Sequence, residues 1–114
     1  MNDKPHLDED ALAELKDVME DEFDLLIRTY LADSRSRMSA LREACDRRDP
    51  DQFAKAAHSF KGSCINIGAP RLGQICLQAE QLGKAGDLTS APGLLEQLDQ
   101  EFAEVASRLE HMAG

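Results

Sequence analysis

Apolar residues recur every three or four positions along most of this 114-residue chain, the spacing that lays them along one side of an α-helix. Leu12, Leu15, Val18 and Met19 form the first such set. Leu7 and Asp8 before it read as an apolar N′ residue and an N-cap, with Leu12 placed to staple back onto Leu7, so a short helix is predicted over about 8–18. A longer stripe of Phe23, Leu26, Ile27, Tyr30, Leu31, Met38, Leu41 and Cys45 predicts the longest helix, about 20–47. Asp49-Pro50-Asp51-Gln52 then offers an N-cap, a proline at N1 and a glutamine at N3, which starts a third helix over about 50–67 with Gly68 beyond its end. Pro70 opens a fourth helix with a core stripe of Leu72, Ile75, Cys76, Ala79 and Leu82. Gly83 and Gly86 mark its end, giving about 70–84. Thr89 or Ser90 caps a last helix over about 90–112, with Pro92 in its first turn and Leu95, Leu98, Phe102, Val105 and Leu109 inward. Four amphipathic helices joined by loops of a few residues predict an all-α, antiparallel up-down four-helix bundle, a single domain with the short first helix as a lid.

Composition supports helices over sheets. Leu and Ala occur 15 times each, whereas Val, Ile and Thr together occur 8 times. Three cysteines, Cys45, Cys64 and Cys76, show no metal-ligand spacing and cannot all pair, so they are expected to pack as small hydrophobes in a reducing, cytoplasmic setting. No secretory signal or spanning run is visible, and no membrane partner is expected. The net charge of −9 is unevenly placed: residues 1–24 hold ten acids and two bases, leaving twelve acids and eleven bases for the rest. Acidity confined to one end argues against a nucleic-acid partner.

One face of the third helix does not fit a plain bundle. Phe53, Ala56, Ala57, Phe60, Cys64 and Ile67 share the core side, which turns His58 outward together with Ala54, Lys61, Gly62 and Ile65. A glycine in a helix interior costs about 1 kcal/mol relative to alanine, so Gly62 suits a place where something approaches the backbone. If Gly68-Ala69 reverses the chain, His58 lies level with Ala79 and Glu80 on the fourth helix. Glu80 there either accepts a hydrogen bond from His58 Nδ1, leaving Nε2 as a free lone pair, or is a solvated surface acid. An imidazole with a free Nε2 and an ammonium one turn away suits nucleophilic chemistry on an anionic group such as a phosphoryl.

The run Ala57-His58-Ser59-Phe60-Lys61-Gly62-Ser63 followed by Ile67-Gly68 resembles the signature of the histidine-containing phosphotransfer (HPt) domain of bacterial phosphorelays, and the likeness extends from the second helix through Leu82-Gly83-Lys84-Ala85-Gly86-Asp87. The resemblance implies that His58 accepts and donates a phosphoryl group, that Lys61 orients or neutralises it, that Gly62 lets a partner close over the ring, and that Glu80 contacts the imidazole. Phe60 and Cys64 depart from the commoner family residues, but both lie on the core side. The implied partners are receiver domains of hybrid sensor kinases and response regulators, which supply the Mg²⁺, so the chain is expected to be a phosphoryl carrier without kinase activity or a cofactor of its own. Ala54, Ile65 and Leu77 are expected to form an apolar ring around His58, with Lys55 and Arg71 adding positive charge that complements receiver aspartates. A monomer is the simplest expectation.

A second reading is a catalytically silent helical adaptor that binds through Ala54, Ile65 and Leu77. A third, with His58 as the general base of an enzyme, lacks a second catalytic group. No Glu-x-x-His or His-Glu-x-x-His occurs, which removes di-iron and zinc-protease sites. His6 and His111, near the termini, are expected to have no function.

Overall fold

The punctuation read from the sequence is built as hydrogen bonds. In a computed structural model that describes residues 4–113, the helices are α1 (Glu9–Met19), α2 (Glu22–Asp46), α3 (Pro50–Ile67), α4 (Pro70–Ala85) and α5 (Ala91–Ala113). Asp8 Oδ1 accepts from the amide of Ala11 at 3.2 Å, and Asp49 Oδ1 from that of Gln52 at 3.1 Å, each satisfying an amide that the first helical turn leaves unpaired. Neither Thr89 nor Ser90 offers so clear a cap, because the Thr89 hydroxyl donates to Asp87 Oδ1 at 2.6 Å instead. Gly68, at φ 86°, takes the left-handed conformation that ends α3, and the Ala69 amide reaches back to the Cys64 carbonyl at 2.8 Å.

α2, α3, α4 and α5 pack in chain order, α5 closes back on α2, and α3 with α4 forms the most extensive contact. The result is the antiparallel four-helix bundle with an extra N-terminal helix. Phe23, Phe53, Phe60, Leu41, Leu72, Leu98 and Leu109 are fully buried at its centre. Cys64 and Cys76 lie in that core as well, while Cys45 is only half-buried.

Three expectations about burial are corrected. Val18 is 81% exposed, since α1 turns Leu12, Leu15 and Met19 toward the core and Val18 off that face. Gly83 does not end α4; it sits buried within the helix, where an added Cβ would lie 2.6 Å from both the Pro50 carbonyl oxygen and the Ala54 nitrogen. The backbone of α4 therefore rests directly on the start of α3. Ala54, expected on the outer face, is buried under that crossing at 8% exposure.

Residues 4–8, ahead of α1, are tied down. Asp8 N donates to the Gly68 carbonyl at 2.8 Å, Arg71 N to that of Pro5 at 3.3 Å, and Arg71 Nε to that of Lys4 at 2.7 Å. His6 Nδ1 meets Glu101 Oε2 at 2.7 Å, and Glu101 is itself buried. His6, for which no function is expected, makes a structural contact that periodicity could not show, because it joins residues 95 apart in sequence.

Candidate functional site: a histidine held by a buried carboxylate

Antiparallel packing of α3 on α4 follows from the reversal at Gly68-Ala69, and it brings His58 alongside Glu80. Nδ1 of His58 donates to Glu80 Oε2 at 2.8 Å, and the His58 side chain is 67% exposed. A carboxylate only accepts, so this bond assigns the proton to Nδ1 and leaves Nε2 with its lone pair. Gly62, one turn along α3, has nothing within 4 Å of where a Cβ would stand. The backbone beside the imidazole is therefore open to an approaching surface.

Glu80 is not the solvated surface acid that its position beside the α4 core stripe allowed. Its side chain is 5% exposed, and it is satisfied by three donors: Lys61 Nζ on Oε1 at 2.7 Å, with His58 Nδ1 and Lys84 Nζ, the latter at 3.2 Å, on Oε2. A carboxylate buried in this way is stable only with such partners. The Lys61 ammonium above all, then Lys84 and His58, hold the Glu80 carboxyl well below its ordinary 4.5, at about 2. Because the folded value lies below the unfolded one, this contribution to stability is complete above pH 4.5 and disappears as the pH falls toward 2. Glu80→Gln is expected to cost about 1–3 kcal/mol at pH 7, with wild type and variant converging in acid; denaturant unfolding between pH 2 and 7 measures the difference. A gap that persists unchanged at pH 2 would mean that the ion cluster contributes nothing.

The remaining candidates divide. Lys61 faces the site, held to Glu80. Ile65 is 59% exposed two turns beyond His58, with Cγ1 3.3 Å from the place a Gly73 Cβ would occupy, so it lies over the seam between α3 and α4. Leu77, four residues on from Gly73, is half-buried on the same seam and outside the core. Lys55 is exposed on the His58 side, paired to Asp51 at 3.0 Å. Arg71 does not join this face: nine residues before Glu80, it points about half a turn away around α4 and holds the N-terminal segment. The apolar ring thus shrinks to Ile65 and Leu77, and the face drawn for a silent adaptor loses Ala54.

Two neighbours escaped the sequence reading. Lys84 was legible, since Glu80 and Lys84 stand four residues apart, the spacing of helical ion pairs. Arg37 on α2 was not: its pairing with Asp33 Oδ2 is a four-residue helical ion pair like that of Glu80 and Lys84, but its contact with the Ser59 hydroxyl beside His58 depends on how α2 lies against α3. Leu26, Thr29, Ser63 and Asn66 line the groove between those helices, with Gly62 at its edge.

The family model for the Hpt domain matches residues 25–108, the part of the chain that builds the bundle and carries this cluster. The chain belongs to the Hpt domain family. The chain is thereby a histidine-containing phosphotransfer protein of the phosphorelay type. A crystal structure of histidine-containing phosphotransfer protein B (HptB) from Pseudomonas aeruginosa PAO1 is similar over nearly the whole molecule: TM-score 0.90 and 39% identity, covering 96% of this chain and 95% of that one. No curated protein matches the sequence. Among the described residues of this Hpt domain, no helix is long and apolar enough to cross a membrane.

Proposed function

We propose that Nε2 of His58 accepts a phosphoryl group from the aspartyl phosphate of one receiver domain and passes it to the aspartate of another, in the cytoplasm, as the intermediate of a hybrid sensor kinase to response regulator relay. The single observation that carries this reading is the 2.8 Å bond from Nδ1 to the buried Glu80, on a ring whose other nitrogen stands at an open surface. In the forward step the Nε2 lone pair forms an N–P bond as the O–P bond of the aspartyl phosphate breaks, and the electron pair leaves with the aspartate carboxylate. No proton is lost. The ring gains positive charge while Nδ1 keeps its hydrogen, and the ionised Glu80 stabilises the resulting imidazolium. Return of the group to a second aspartate reverses each of these changes.

The chain supplies a positioned nucleophile and a docking surface, and in this reading it needs no cofactor of its own; the Mg²⁺ belongs to the receiver. Residues 55–84, which carry the cluster, hold four Lys and Arg against Glu80 alone, a local surplus that complements the aspartates around a receiver's phosphorylation site. Incubation with a receiver carrying labelled phosphate tests the reading. Acid-labile, base-stable label on the chain is expected, and its absence with every receiver of the source organism would refute it.

Gly62 gives a second, sharper measurement. Gly62→Phe starts from a Cβ that meets nothing within 4 Å, so the ring can turn to solvent, the helix gains about 0.5 kcal/mol and the melting temperature does not fall. Transfer from a receiver is nevertheless expected to drop about a hundredfold, because the donor is held off the in-line geometry. Unchanged transfer would show that no partner closes over this face.

A further inference from the structure

Glu80 Oε2 is shared and Glu80 Oε1 is not, and this asymmetry separates the two lysines. Lys61 pairs with Oε1, with a side chain only 22% exposed; were it to leave, a buried carboxylate oxygen would lose that charged donor. Lys84 shares Oε2 with His58 Nδ1, and its side chain is 69% exposed. Its departure leaves Oε2 still bonded to the imidazole. That remaining bond strengthens once the ring becomes an imidazolium.

We propose that Lys84 is a mobile phosphoryl-binding residue that moves from Glu80 onto the phosphoryl oxygens when His58 is phosphorylated. This rests on the assignment of His58 above. A phosphoryl group brings a charge of about −2 at neutral pH next to the carboxylate of Glu80. Lys61 and the imidazolium are both committed to that carboxylate, so the arriving dianion needs a further cation. Lys55 on α3 is already paired with Asp51. Lys84 stands at the same carboxylate oxygen as the reacting ring, on a flexible stem with three donors. No covalent bond to Lys84 forms or breaks; its N–H groups exchange one acceptor for another.

Phosphoramidate, a chemical donor that bypasses receiver docking, phosphorylates wild type, Lys84→Gln, Lys84→Arg and His58→Gln for comparison by ³¹P NMR. A neighbouring cation favours the dianion, so the phosphohistidine signal of Lys84→Gln is expected to titrate at higher pH than that of wild type, with Lys84→Arg restoring the wild-type profile. With a receiver as donor, the equilibrium yield of phosphorylated Lys84→Gln is expected to fall about fivefold. Coincident titrations of wild type and Lys84→Gln overturn the role of Lys84 while leaving His58 intact. Failure of wild type to give any N-phosphoryl signal, or persistence of that signal in His58→Gln, overturns both assignments.

Discussion

His58→Gln is expected to abolish phosphorylation while leaving the bundle folded. Removing a nucleophile that no neighbour replaces costs about a thousandfold or more in rate, and the glutamine amide nitrogen has no comparable lone pair. The fold tolerates the change because the side chain is 67% exposed, and because the glutamine amide still donates hydrogen bonds as the imidazole Nδ1 does. Loss of stability should stay within about 1 kcal/mol. Labelled receiver as donor, with circular dichroism on the same sample, separates the two effects. Label retained by a folded His58→Gln variant would remove His58 from the reaction.

Gly83→Ala is expected to be the most disruptive small substitution in the protein. The new Cβ would stand 2.6 Å from the Pro50 carbonyl oxygen and the Ala54 nitrogen, and 2.7 Å from Ala54 Cβ. None of these atoms is the end of a flexible side chain, so relief requires α4 to move away from α3. Alanine's helix propensity returns about 1 kcal/mol, against an overpacking cost of about 3 kcal/mol, the upper end of the usual range because backbone atoms must move. The net loss should lower the melting temperature by roughly 10 °C. Gly62→Ala provides the opposite sign from the same chemistry, since its Cβ meets nothing and only the propensity gain remains. A Gly83→Ala protein as stable as wild type would show that the two helices are not in backbone contact. The damage should extend to function, because Gly83 lies one turn from Glu80 on α4 and Ala54 one turn from His58 on α3.

The two glycines show why sequence reading succeeds at one place and fails at another. Gly62 was legible because its angular position on α3 is set by the core residues Phe53, Phe60 and Cys64, and the face opposite a core is open. Gly83 falls near the end of α4, where a glycine reads as a stop signal. Its true role depends on how close two helix axes approach, which a helical wheel does not contain. Ala54 was misplaced for the same reason, being covered by the backbone of another helix.

Taken alone, the sequence determined the helices, their order, and that His58 lies level with Glu80, because capping residues and a 3.6-residue period are local properties and a short reversal at Gly68 sets the antiparallel register; whether the two bond was left open. Tertiary structure decided how deep Glu80 lies, which cations it gathers on each oxygen, and that Arg71 holds the N-terminal segment instead of facing a partner. Those outcomes depend on inter-helix distance and side-chain reach. At 5% exposure Glu80 draws Lys61, Lys84 and His58 onto itself, since a buried carboxylate requires compensation that a solvated one does not.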